Sequence, residues 1–135
     1  MLEGWPVNAG LDTSVVVRLL VGLPEREYRI ARKRLDEAYR ENDLVLISDL
    51  VLAEAYHALR YHYIVPEEEA RNRLIAFVES GLVLLEPVGG IRALRDGRSS
   101  GLMDLLIHER YRSLDVVTLT FDKKQGGLEG ADHLR

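Results

Sequence analysis

Apolar residues along the 135-residue chain fall into two kinds of segment. Compact apolar runs at 44–47 (Leu44-Val45-Leu46-Ile47) and 82–85 (Leu82-Val83-Leu84-Leu85) have the length and character of buried parallel strands. The segment 116–121 is the clearest strand of all, and a further one is expected over 7–11, weakened by Asn8 and Gly10. Between these lie stretches with helical spacing. A helix over 13–21 should end at Gly22 and Pro24. Another over 25–41 carries Ile30, Ala31, Leu35 and Ala38 amid charges, the pattern of a surface helix. Ser48 or Asp49 can cap a third that runs to about Tyr63. Pro66 followed by Glu67, Glu68 and Glu69 opens a fourth, with carboxylates at the positive end of its dipole and Gly81 closing it. A short helix over 91–95 and a longer one over 99–114 complete the set, and the glycine-rich tail 125–135 shows no clear strand.

Strands alternating with amphipathic helices predict an α/β fold, with a central parallel sheet flanked by helices on both faces. No repeat, low-complexity tract or linker divides the sequence, so a single domain over 1–135 is expected. In such sheets ligands bind beyond the carboxyl ends of the strands.

Composition narrows the chemistry. A hydrophobic share of 47% and a charged share of 30% describe an ordinary globular chain. Without cysteine there is no disulfide framework, thiolate zinc site or cysteine nucleophile, which together with the lack of a long apolar run leads to the expectation of a cytoplasmic protein. A net charge of −4 does not announce a nucleic-acid binder, but a metal at an acidic site supplies positive charge locally. Lysine is scarce (Lys33, Lys123 and Lys124 alone), so the basic side chains are mostly arginines, a bias suited to phosphate and equally to GC-rich coding or a hot habitat.

Four acids stand where the fold would place a ligand. Asp12 follows the first strand and Asp122 the last, although the one reads equally as a helix cap and the other as a turn residue. Glu54 is almost the only charge in Leu50-Val51-Leu52-Ala53-Glu54-Ala55-Tyr56, on a face shared with Leu50, Val51 and Ala58; a salt bridge to Arg60 is the structural alternative. Asp104 lies in a helical first turn and borders an expected apolar arc of Met103, Ile107 and Tyr111. Four carboxylates gathered together repel one another unless a hard cation relieves the cost, and oxygen donors favour Mg²⁺ or Mn²⁺ over zinc.

Leu11-Asp12-Thr13-Ser14, Leu52-Ala53-Glu54, Met103-Asp104-Leu105-Leu106-Ile107 and Leu119-Thr120-Phe121-Asp122-Lys123-Lys124, in this order over nearly the whole chain, resemble the PIN-domain ribonucleases. The likeness is greatest to the VapC-type toxins of toxin–antitoxin pairs. The resemblance implies a PIN-like three-layer fold, cleavage of RNA with Mg²⁺ or Mn²⁺, a homodimer, and an antitoxin partner that inhibits near the site. It also implies Asp12, Asp104 and Asp122 as metal ligands, with Glu54 as a ligand directly or through water. Ser14 matches the small polar position after the first acid. The loop over 95–101 and Met103 depart from the family's usual residues beside the third acid, and the tail departs from its final strand.

Arg18, Arg92, Arg95 and Arg98 are candidates to hold the substrate backbone by their nearness in sequence to the acids, Arg98 foremost. Two rival readings remain in view. A non-catalytic interaction or RNA-binding module would favour loss of an acid, and none is missing. A phosphoacceptor domain wants paired acids after its first strand, whereas Thr13 follows Asp12. His108, one turn beyond Asp104, could face the site but reads more simply as a packed histidine; Tyr56, Tyr61 and Tyr63 are expected in core or dimer packing rather than stacked on bases.

Overall fold

A computed structural model describes residues 7–96 and 101–135 of the chain. It is a mixed α/β structure in which every strand pairing is parallel. The chain forms two compact units, 1–86 and 87–135.

In the first unit the order is β1 (Val7–Gly10), α1 (Thr13–Val21), α2 (Glu25–Arg40), β2 (Leu44–Ser48), α3 (Asp49–His57), a π-helical turn (Ala58–His62), α4 (Glu67–Val78) and β3 (Leu84–Glu86). The strands line up as β1-β2-β3 with β2 in the centre. Val45 and Ile47 of β2 are buried, and the core around them comes from Val16 and Val17 of α1, Leu35 and Ala38 of α2, Leu52 and Ala55 of α3, and Ala70 and Leu74 of α4. Local chemistry sets the helix ends. Asp12 caps α1, and Gly22 closes it in the left-handed region with its N–H on the Arg18 carbonyl. Ser48 caps α3 by accepting the Leu50 N–H at 3.0 Å.

The π-helical turn closes with the Tyr63 N–H on the Ala58 carbonyl at 3.1 Å, and the Val65 N–H reaches back to Leu59 at 2.8 Å. That reversal puts Ile64 at φ 55, a region costly to a β-branched residue, with its side chain 77% exposed. Arg60 donates to the Val65 carbonyl at 3.1 Å and Glu54 accepts from Thr13, so the structural alternative of a Glu54–Arg60 salt bridge is not formed.

The second unit contains α5 (Gly90–Arg95), α6 (Leu102–Ser113), β4 (Thr118–Thr120), α7 (Lys123–Gly126) and β5 (Ala131–His133), with β4 and β5 forming a two-stranded parallel sheet. Three expectations are corrected here. The strand over 116–121 contracts to Thr118–Thr120, because Val116, Val117, Leu119 and Phe121 stay exposed and only Thr118 turns inward. The tail does contain a strand: Gly130 at φ 83 turns the chain so that Thr118 pairs with Ala131 and Thr120 with His133. The buried face of α6 is Leu102, Leu105, Leu106, His108 and Glu109, while Met103, Ile107 and Tyr111 face outward. Among the described residues no helix is long and apolar enough to cross a membrane.

Candidate active site

In the first unit one residue organises two of the predicted acids. Thr13 donates its backbone N–H to Asp12 Oδ1 at 2.8 Å and its hydroxyl to Glu54 Oε1 at 2.9 Å. Asp12 sits at the carboxyl end of β1, where Leu11 continues the pairing by donating to the Leu46 carbonyl at 2.9 Å. Glu54 reaches Thr13 from the middle of α3 and is exposed, not enclosed by Leu50 and Val51 as the wheel suggested; Leu50 itself is 66% exposed. The arrangement leaves Asp12 Oδ2 and Glu54 Oε2 with no protein hydrogen bond among the described residues.

In the second unit the buried side chain of Gln125 does the corresponding work. Its Nε2 donates to the Asp104 carbonyl at 3.0 Å, while its backbone N–H donates to Asp122 Oδ1 at 2.9 Å, making Asp122 the cap of α7. The Asp122 N–H is in turn held by Thr120 Oγ1 at 2.9 Å. The segments bearing Asp104 and Asp122 are thereby fastened together. Each unit thus assembles one pair of acid-bearing segments, and among the described residues no three acids or histidines converge on a point that could hold an ion.

Several other acids of the chain are fixed by arginines. Glu25, Glu27, Asp36, Glu67, Glu69 and Glu109 are all paired with arginines. Among the described residues none of Asp12, Glu54, Asp104 or Asp122 has such a partner; neutral N–H and O–H groups hold Asp12, Glu54 and Asp122. Carboxylate oxygens are the donor type that Mg²⁺ and Mn²⁺ take, so the chemistry of these side chains, taken singly, suits either ion.

The arginines expected to grip phosphate are largely committed elsewhere. Arg18 pairs with Glu27 at 2.8 Å. Arg92 donates to the buried Glu109 at 2.7 Å, and that hydrogen bond and the opposing charge bind its proton more tightly than usual. Arg95 already has an interaction, and Arg98 lies outside the described residues. Ser14 is exposed and lines the rim of a cavity of about 460 Å³ walled by Leu11, Val15, Leu19, Ile30 and Leu35.

His108 is a packed histidine. It is 3% exposed, with Nε2 2.8 Å from the Glu129 carbonyl and Nδ1 2.7 Å from Thr118 Oγ1. Because a carbonyl only accepts, Nε2 carries a proton, and in the neutral ring Nδ1 accepts from the Thr118 hydroxyl. The side chain pins α6 to β4 and to the loop before β5. Of the tyrosines, Tyr61 is 62% exposed and so lies outside the core. Thr13 and Gln125 were not singled out from sequence; a hydroxyl directly after the first acid was the available signal for the former, and nothing local marks the latter.

The PIN domain family profile matches residues 10–129. The chain belongs to the PIN-domain family, whose members are generally divalent-metal nucleases. The mixed α/β structure with parallel strands is consistent with the three-layer fold of that family. Comparison with curated proteins and with solved structures returned no significant match.

Proposed function

We propose that this protein is a metal-dependent endoribonuclease that hydrolyses RNA phosphodiester bonds, and that it is the toxin of a VapBC-type pair. The observation that supports this reading is the set of four acids in the segments that resemble the family's motifs, two of them held by one threonine, Asp12 through its backbone N–H and Glu54 through its hydroxyl. In this reading Asp12, Glu54, Asp104 and Asp122 hold Mg²⁺ or Mn²⁺. When bound, the ion supplies an acidified water and neutralises charge on the phosphoryl group.

The protein's own part is orientation. The Thr13 N–H fixes Asp12 through Oδ1 and aims Oδ2 outward; the Thr13 hydroxyl does the same for Glu54. Gln125 and Thr120 hold Asp122 from its side chain and its backbone. A carboxylate so held accepts a hydrogen bond from water and sets its lone pair toward phosphorus. The water oxygen bonds to phosphorus, one P–O ester bond breaks, and the water's proton ends on the departing oxygen. Ser14 and Arg98 are assigned to the substrate phosphates. A cognate antitoxin and a second copy of the chain are the partners this reading calls for.

Cleavage of a mixed pool of structured RNAs by purified protein tests it, with Mg²⁺, with Mn²⁺ and with chelator, beside Asp104→Asn. Cleavage that requires metal and is lost in the folded variant supports the reading. Metal-dependent cleavage retained by Asp104→Asn removes Asp104 from the site. No cleavage by folded wild type under any of these conditions turns the reading toward a non-catalytic RNA-binding module.

A further inference from the structure

The segment that follows Glu54 has a composition the acidic site does not explain. From Ala55 to Pro66 it carries Tyr56, His57, Arg60, Tyr61, His62 and Tyr63 and no acid. Glu54, His57 and Tyr61 fall at i, i+3 and i+7, one face of a helix, and all three are exposed, while Ala55 and Leu59 on the other side are fully buried. The His57 and Tyr61 rings lie 4.7 Å apart at 47°, and the Arg60 guanidinium stands 5.4 Å from the Tyr61 centroid. Arg60 is itself tied to the Val65 carbonyl, so it braces the tyrosine instead of wandering with it. The brace sits in the π-helical turn, a geometry that recurs at functional sites.

We propose that the His57–Tyr61 face is a stacking platform for bases of single-stranded RNA, extending the site outward from Glu54. The proposal rests on the nuclease reading for its substrate and goes beyond it in naming where the strand is held. An exposed ring already fixed by its neighbours offers a base a π face without much further loss of freedom. The cationic and neutral groups around it suit a phosphate backbone. Seven residues of helical rise span about 10 Å, the length of roughly three stacked nucleotides. The platform therefore contacts bases about three positions from the phosphate that is cut.

The test is steady-state cleavage of labelled single-stranded oligonucleotides by wild type, Tyr61→Ala, Tyr61→Phe and Tyr61→Trp. Tyr61→Ala should raise KM by roughly 5- to 150-fold with little change in kcat, since a stacked base contributes on that scale. Phe and Trp should restore KM, because the ring and not the hydroxyl is used. Substrates cut back to one nucleotide on the relevant side should lose the difference between wild type and Tyr61→Ala. A KM within twofold of wild type for Tyr61→Ala on long substrates overturns the platform while leaving the nuclease reading intact. So does sedimentation showing that Tyr61→Ala converts a dimer to a monomer and that its KM recovers at high protein concentration. Where wild type does not cleave, anisotropy of the labelled strand decides: Tyr61-dependent binding keeps the platform and removes the nuclease, and absence of binding removes the platform.

Discussion

His108→Leu isolates the contribution of the pin that holds the second unit together. Leucine fills a similar space and keeps the apolar packing of the α6 face but can neither donate nor accept. Two partners lose their bond. Thr118 is only 4% exposed, so leaving its hydroxyl unmatched costs about 1–3 kcal/mol. Glu129 lies at the surface, so its carbonyl can find water and only the net value of a hydrogen bond is lost, about 1 kcal/mol. Together these predict a loss of about 2–4 kcal/mol, read as a lower urea midpoint at unchanged slope and a fall in Tm on the order of 10 °C. A double-mutant cycle sharpens the claim. Thr118→Val removes the orphaned hydroxyl, so His108→Leu with Thr118→Val should be more stable than the sum of the single losses by about 1 kcal/mol or more. Strict additivity, or a loss below about 0.5 kcal/mol for His108→Leu, would refute the assignment of His108 as a doubly bonded pin.

Three further outcomes follow from single contacts. Thr13→Val keeps the shape of the side chain and removes its bond to Glu54, so metal-dependent kcat/KM should fall about 10-fold or more while Thr13→Ser stays near wild type; equal activity in all three would show that Glu54 needs no such tether. Ile64→Gly relieves the left-handed strain and gives up only an exposed side chain, and after the added chain entropy of glycine it should raise stability by about 0.5–1 kcal/mol in urea titration. Gly126→Ala would place a Cβ 2.5 Å from the His133 Cβ and 3.1 Å from its backbone, forcing α7 and β5 apart; a loss of about 1–3 kcal/mol is expected, and hydrogen exchange at Leu134, whose N–H bonds the Thr120 carbonyl, should quicken.

How far the sequence could be read depended on the range of the interaction that decides each feature. Helix starts and stops were visible because they are set locally: Asp12 and Ser48 cap, Gly22 reverses the chain, and Pro66 opens the next turn. Leu44–Ser48 was visible because a central strand has to be apolar. The tail strand was not, since Ala131–His133 carries no periodic signal and forms because Thr118 and Thr120 offer it backbone partners. The outward face of α6 was misread for a related reason. Met103, Ile107 and Tyr111 are as apolar as the residues that are buried, and only the elements packed on α6, α5 foremost, decide which side turns in. Asp12, Asp104 and Asp122 could be picked out by their place at strand ends and a helix start, and Glu54 by the apolar residues around it in sequence. Their tethers, Thr13 to Glu54 and Gln125 to Asp104, span 41 and 21 residues and leave no local trace.

Asp12 and Asp122 each cap a helix with one carboxylate oxygen, at 2.8 Å and 2.9 Å, and keep the other unbonded by protein among the described residues. Folding alone would therefore hold a short polar residue at both positions in any descendant of this chain, including one that had lost every trace of catalysis. Asparagine or serine would cap as well. Glu54 is under no such obligation: it stands in mid-helix, exposed, and its only described bond is to a threonine hydroxyl that water could satisfy. Under the proposed nuclease reading, a lineage freed from the reaction would let Glu54 drift first of these acids, so its presence or absence among descendants would report the loss of activity where the two aspartates would keep silent.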